Sequence, residues 1–419
     1  METLPLFPMD YKRLVAKEPR IHVINRYAER NPSLNEEPVS MISRPGMKKL
    51  AQIGSGPIRK TFSQPGTFNG ALFVVSNTSL YRYSTAGVST YIGELSTDPF
   101  GDVSMAATAP IGDTVPAYLF LADGSVLWCY TENGSAQGQL QVTGAIANGD
   151  QVRIGTVYYQ FTTGAVTTGN GTSGSPWLVK IGITDAVSLQ NLYNAINAAG
   201  EPGVDYSTNL LDAHPEVVAS RLSTADLYVL ARVAGTLGNA IVTTETGANM
   251  AWGSGTLING GTNQLRQVYL PDDLGAVSVA VINSYVIVIP FQDVNNKGQF
   301  YWLEPGEQTV DPLNYATAER NPDGLHQVIV FGDMFWLLGE NTTEPWVTTG
   351  DQLNPMQRMR GILFDRGSWE GTAVQVKDSL IVVDEDGGVF QISGGQKRIS
   401  RPDIEERIRR AKQIEKFFS

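Results

Sequence analysis

Five copies of one short pattern restrict what this chain can fold into: an apolar run, a polar turn and then an aromatic or apolar run. They are Leu72 to Tyr83 (LFVVSNTSLYRY), Leu119 to Tyr130 (LFLADGSVLWCY), Val286 to Leu303 (VIVIPFQDVNNKGQFYWL), Phe335 to Val347 (FWLLGENTTEPWV) and Leu380 to Ile392 (LIVVDEDGGVFQI). Their starts lie 47, 167, 49 and 45 residues apart, and setting aside residues 138–262 shortens the long interval to 42. A hairpin that recurs roughly every 40 to 50 residues is the mark of propeller blades. A blade is a small twisted sheet that cannot bury its apolar faces alone, so its neighbours around the ring must cover them. The expected fold is therefore mainly β: a β-propeller interrupted by a compact α+β inserted domain, with an extended N-terminal arm and a C-terminal helix.

Residues 1–60 carry Pro5, Pro8, Pro19, Pro32, Pro38, Pro45 and Pro57 with little periodicity, which reads as an extended arm laid over other structure. Propeller strands are expected over 61–137 and 263–399. The block 138–262 differs in character. Asp150 to Phe161 reads as a hairpin turned at Gly155-Thr156, and Leu178 to Ile183 as a strand. Val187, Leu189, Leu192 and Ile196 have helical spacing, with Asp185 as the expected N-cap and Gly200 as the stop. Val217 to Arg221, Asp226 to Val233 and Ala240 to Thr246 are further strands. Insertion of such a module into a surface loop disturbs few buried backbone bonds. Over 400–419 a helix is expected, with Ser400 or Asp403 as cap, Pro402 in its first turn, and acids leading bases to suit the helix dipole. Ile404, Ile408, Ala411 or Lys412, and then Ile414 or Glu415 give it a narrow apolar stripe that needs a partner.

Charge narrows the function. The chain of 419 residues has a net charge of −11, which argues against gripping duplex DNA, a task that needs many Lys and Arg contacts to phosphate. An acidic wall repels DNA and lets it slide. The exception is the stretch from Lys397 to Ser419, where eight basic residues meet four acidic ones, a candidate docking element. No apolar run approaches the roughly 20 residues of a membrane span, and the N-terminus lacks the layout of a secretory signal, so folding in a cytosol is expected. Cys129 stands alone, flanked by Trp128 and Tyr130, and reads as a buried small hydrophobe.

No catalytic set, cofactor site or metal site is expected. His22 lies in an Arg-rich arm, and His214 precedes a proline in a turn; His326 is the third histidine. Asp384 to Gly388 and Asp293 to Gly298 have the oxygen-rich composition of calcium loops, yet both fall where the repeat demands a turn, and Asp, Asn and Gly are turn residues. The acids Glu304, Glu319, Glu340 and Glu344 read as a solvated rim, and the Ser-x-Asp-x-Gly-x-Thr-Trp turn of many sialidases does not occur.

Several segments in order carry a resemblance. Ser43-Arg-Pro-Gly-Met-Lys-Lys-Leu-Ala-Gln-Ile-Gly-Ser-Gly-Pro-Ile-Arg59, Asp311 to Leu325, Leu337 to Trp346 with Thr348 to Gly350, and Ser400 to Glu405 together resemble the packaged-DNA stabilisation proteins, also called tail hub or nozzle proteins, of short-tailed bacteriophages. The inserted block resembles a module found in phage virion proteins, on Asp150 to Gly155, the Ala195 to Gly200 helix end, His214 to Val217, Gly235 to Ile241 and Gly255 to Thr262.

The resemblance implies a structural protein of the virion tail, made in the host bacterial cytoplasm. As a homohexamer it would bind the adaptor (head-to-tail connector) protein and a tail needle or tip protein, extend the channel, help retain packaged DNA and form part of the ejection conduit. On that reading the arm and the basic helix make the contacts, with Arg407, Arg410 and Lys412 meeting acidic surfaces. The alternative from another class is a receptor- or polysaccharide-binding tail protein with the inserted domain as adhesin; a propeller glycosidase is the third.

Overall fold

The computed structural model describes residues 26–30, 39–43, 49–95, 101–112, 115–318, 323–351, 354–359, 364, 366–393 and 395–418. Among the described residues, five four-stranded antiparallel sheets form blades of a β-propeller. Blade 1 is Ile58–Phe62, Leu72–Ser76, Ser79–Tyr83 and Ser89–Glu94. Blade 2 is Ser104–Ala107, Leu119–Ala122, Leu127–Thr131 and Gln264–Val268, the last supplied only after the inserted module. Blade 3 is Ala276–Ile282, Tyr285–Pro290, Gln299–Leu303 and Tyr315–Thr317. Blade 4 is Leu325–Phe331, Met334–Gly339, Thr343–Thr348 and Met356–Arg358, and blade 5 is Val374–Val376, Ser379–Val383, Val389–Ile392 and Gln396–Arg398.

The apolar run in each repeat is the second strand of a blade, and strand geometry explains why it is apolar throughout. Successive side chains point to opposite faces. Leu119 and Leu121 therefore pack with Phe73, Val75 and Leu80 of blade 1, whereas Phe120 and Ala122 pack with Val279, Val286 and Val288 of blade 3. In blade 3, Ile287 and Ile289 turn the other way and meet Val328, Phe335 and Leu337 of blade 4. In blade 4, Trp336 and Leu338 meet Leu380, Val382, Phe390 and Ile392 of blade 5. The propeller core is thus four separate layers, each between two consecutive blades.

The module has its own core. One sheet runs in the order Val217–Leu222, Asp226–Ala234, Ser135–Val142, Met250–Trp252, and the other Trp177–Lys180, Val157–Thr162, Gln151–Ile154, Thr243–Glu245. Within these two sheets Trp177–Lys180 pairs in parallel, beside Val157–Thr162, and the other pairings are antiparallel. Helix α1, Asp185–Asn197, inserts Leu189, Leu192 and Ile196 among Val152, Tyr159, Phe161, Val217 and Val229. Residue 138 falls inside the strand Ser135–Val142, whose pairing with Asp226–Ala234 places that whole strand in the module. The hairpin turn does lie at Gly155-Thr156, where Gly155 has φ +57°.

The expected caps are corrected. Thr184, not Asp185, caps α1: its side chain accepts from the Val187 N–H, and the Asp185 carboxylate accepts from the Ile146 N–H across the module instead. The helix stops at Ala198 in the left-handed conformation, two residues before Gly200. Helix α2, Pro402–Phe418, follows Arg401; the Ser400 hydroxyl accepts from the Val389 N–H and donates to Glu405 rather than closing the helix end.

Within a blade the connections alternate between the two ends of the ring. The module leaves between the third and fourth strands of blade 2, whereas α2 packs on the turn between the second and third strands of blade 5. They therefore project from opposite ends. Phe335 is fully buried between blades 3 and 4 and touches Phe300 and Trp346 edge-on or stacked. Truncation by Phe335→Ala should cost about 3–5 kcal/mol, read as a lower unfolding midpoint in urea with little change of slope.

Candidate interaction surfaces

The C-terminal helix is locked to blade 5 by one carboxylate. Glu405 is buried, takes two hydrogen bonds from the Arg398 guanidinium at the end of the last strand, and accepts a third from the Ser400 hydroxyl at 2.5 Å. These bonds hold its carboxyl below the usual carboxylate range, the Arg398 bond contributing most. The helix rests on the turn Asp384 to Gly388. Gly387, at φ +79°, has the Glu405 carbonyl and the Arg409 and Ile408 side chains so near that a Cβ there would stand 3.0 Å from the carbonyl oxygen.

That turn is held by its own acid. Asp384 Oδ1 accepts from the Asp386 and Gly388 N–H groups, and Oδ2 pairs with Arg366 at 2.8 Å. Asp293 Oδ1 likewise accepts from Asn295 and Asn296 N–H. In both candidate calcium loops the acid shapes the turn.

Arg407 and Arg410 lie three residues apart on the exposed side of α2, and Arg410, 73% exposed, pairs with Glu406 at 2.9 Å. Position 412 lies in the same helix, Pro402–Phe418. Arg409, which the sequence reading did not single out, also pairs with Glu406, at 3.4 Å.

The joint between module and propeller is built around Arg266 on the outer strand of blade 2. Its Nε and Nη2 donate to the Gln308 side chain at 3.1 and 2.8 Å, and Nη2 also donates to the Gln308 carbonyl at 2.9 Å. Gln308 Nε2 in turn donates to the Tyr118 hydroxyl and to the Ser135 hydroxyl, at 2.8 and 3.2 Å. One glutamine thus joins blade 2, blade 3 and the first strand of the module. Beside it opens a cleft of about 430 Å³ lined by Gln137, Gln139, Tyr228, Thr256, Arg266 and Gln267 among others, with no acidic residue in its lining. Cys129 is fully buried nearby, and burial pushes its thiol up to about 11, so it is packing rather than a nucleophile.

The remaining candidates do not form one site. Glu304 follows the third strand of blade 3 and Glu340 the second strand of blade 4, which puts them at opposite ends of the ring. Glu344 is buried 3.9 Å from Arg358. His214 is buried and neutral in character: Nδ1 accepts from Glu216 and Val217 N–H, which leaves Nε2 to donate to the Ile154 carbonyl, and burial lowers its pKa. His326 Nε2 faces the Gly339 carbonyl at 3.1 Å. His22 and Glu319 lie outside the described residues.

Fold and surfaces define a β-propeller scaffold that carries a module on one end and a basic helix on the other. Residues 182–417, more than half of the chain, match the family described as bacteriophage P22 Gp10, β-propeller, and the chain belongs to that family of phage structural proteins. The match starts inside the module and runs through blades 3 to 5 and α2. No curated protein matches. Similar solved structures include the Myceliophthora thermophila Cps50 (Swd1) β-propeller domain, with 7% identity, a TM-score of 0.33 and coverage of 83% of this chain and 87% of that one. YCF48 bound to D1 peptide matches at 10% identity and a TM-score of 0.29, over 84% and 87% of the two chains. Kluyveromyces lactis Hsv2 matches at 11% identity and 0.26, over 82% and 75%. These likenesses are too loose to bear on what the chain does. No helix among the described residues is long and apolar enough to cross a membrane.

Because the folded-state pKa of Glu405 is depressed, its contribution is complete above the ordinary glutamate value and is lost as pH falls through the folded-state value. Amide exchange in Pro402 to Arg410, corrected for intrinsic rates, should stay slow near pH 7 and accelerate below about pH 4. Arg398→Ala should produce the same loosening at pH 7, seen as earlier tryptic cleavage after Arg407, with the blades unaffected.

Proposed function

We propose that this chain is a tail hub or nozzle subunit of a phage virion. Around the tail axis it forms a homohexamer that continues the channel of the portal and its adaptor, helps retain packaged DNA and lets that DNA pass on ejection. The family match over residues 182–417 carries this reading. The charge pattern supports it: a body of net charge −11 does not hold DNA by phosphate contacts, so DNA is retained as a column in a conduit and not bound by sequence. The anchored helix offers Arg407 and Arg410 to an acidic partner, for which the adaptor protein and the neighbouring subunit are the candidates, while the tail needle or tip protein caps the far end. Its role is structural rather than catalytic.

The acid-free cleft around Arg266 favours a second reading, in which the module binds a receptor or a polysaccharide on the host surface. Deleting the module separates the two. A hub without it still assembles, whereas an adhesin without it leaves complete particles unable to attach.

The direct test is Arg407→Glu, Arg410→Glu and Lys412→Glu together, supplied to a phage lacking its own copy of the gene. The triple variant should fold with an unchanged unfolding midpoint, yet stay off the particle and yield tails that leak DNA. Normal infectious particles would remove the helix from the assembly interface.

A further inference from the structure

The middle blades are apolar on both faces because each face has a neighbour. Blades 1 and 5 are also apolar on both faces, but among the described residues each has a neighbour on one side only. In blade 5, Leu380, Val382, Phe390 and Ile392 pack on blade 4. The register pairs Val374 with Ile381 and Val383 with Val389, which places these residues, with Val376, on the other face. Val374 and Val376 are each 50% exposed, and Ile381, Val383 and Val389 are half-buried. In blade 1, Phe73, Val75 and Leu80 pack on blade 2. The opposite face holds Ile58, Leu72, Val74, Tyr81, Tyr83 and Tyr91; Val74 at its centre is buried, whereas Ile58 and Tyr91 are 52% and 53% exposed. No hydrophobic layer among the described residues joins blade 5 to blade 1, although Gly371, at the entry to blade 5, comes up against Asp102, at the entry to blade 2. The ring curls back on itself and leaves one seam with two apolar walls.

We propose that the N-terminal hairpin Arg26–Arg30 with Val39–Ser43 fills this seam as a partial sixth blade of the same chain. Three observations select that occupant. The chain entering blade 1 already runs along the free face: Gly54 lies against Ser76 and Tyr81, the Ser76 hydroxyl donates to the Gly56 carbonyl at 3.1 Å, and the Asn77 N–H donates to the Pro57 carbonyl at 2.9 Å. The hairpin register sets Tyr27 opposite Ile42 on one face and Ala28 opposite Met41 on the other, so each face offers one apolar pair to a wall, with Arg26, Glu29 and Arg30 toward the strand ends. The linker reaches: ten residues separate Ser43 from Gly54, up to about 33 Å when extended, and packed sheets lie about 10 Å apart. The seating sets the ring at five full blades plus a hairpin wedge and ties the arm to the body. It goes beyond the hub reading and does not depend on it.

The test uses full-length protein with Ile42→Cys and Val376→Cys and a bismaleimide whose spacer is about 10 Å, one sheet spacing. The expected product is a link within one chain, with a yield unchanged on tenfold dilution, and none when Leu313→Cys, an exposed site on blade 3, replaces the second cysteine. A link only between copies would assign the hairpin to a neighbour, and no link would empty the seam; either overturns the proposal. Amide exchange supplies the second measurement. Ile381→Glu in the full chain should raise exchange across residues 26–43 at least tenfold while Tyr285–Pro290 of blade 3 stays protected. Unchanged exchange in the hairpin, with blade 5 still folded, would also count against it.

Discussion

Face-to-face contact between consecutive blades is the interaction on which the rest of this structure stands. A four-residue strand such as Leu119–Ala122 contributes to two hydrophobic layers at once, two side chains to each, and each layer closes only when both blades are present. At roughly 25 cal/mol per Å² of apolar surface removed from water, the layers built from the first three strands of each blade hold the ring. Tyr315–Thr317, Met356–Arg358 and Gln396–Arg398 are short and carry polar or half-exposed residues. They blunt the sheet edges at the rim.

Polar groups then fix what the apolar layers leave free. In blade 2 the Asp123 carboxylate accepts from the Ser125 and Val126 N–H groups and from Trp128 Nε1. Asp384 occupies the same place in blade 5, shapes the turn and holds Arg366, whose guanidinium lies 4.8 Å from the Phe390 ring centre. Glu405 does comparable work for the helix, and Gln308 for the module. Each of these joints depends on a single polar side chain with several partners, so each can be loosened without touching the blade cores.

What the sequence made legible follows from the same physics. The second strands stood out because burial on both faces makes them apolar without interruption, and the turns after them stood out because they are polar, with an acid and glycine in blades 2, 3 and 5 and Asn77 in blade 1. The last strand of blade 2 was not legible. Gln264–Val268 pairs with Leu127–Thr131 across more than a hundred residues, and nothing local in QLRQV announces it. The first strand of the module, Ser135–Val142, has no composition that sets it apart from a blade strand, which is why residue 138 fell inside it. The cap of α1 was misplaced by one residue because Thr184 and Asp185 are both capping types, and only the structure shows that Asp185 is engaged by Ile146. For the proposed docking residues, charge alone pointed to Arg407, Arg410 and Lys412. The Arg398–Glu405 lock beneath α2 depends on where the helix lies, which charge counts do not specify.

The proposed function is that this chain is a ring-forming wall segment of a phage tail channel. An electron micrograph of the purified particle, averaged about the tail axis with a density label fused to the module, measures that claim most directly. The account predicts six copies in a rotationally symmetric ring centred on the axis below the portal, with the label repeated six times. Labels found only on peripheral fibres, or a particle with no copy on its axis, would contradict it.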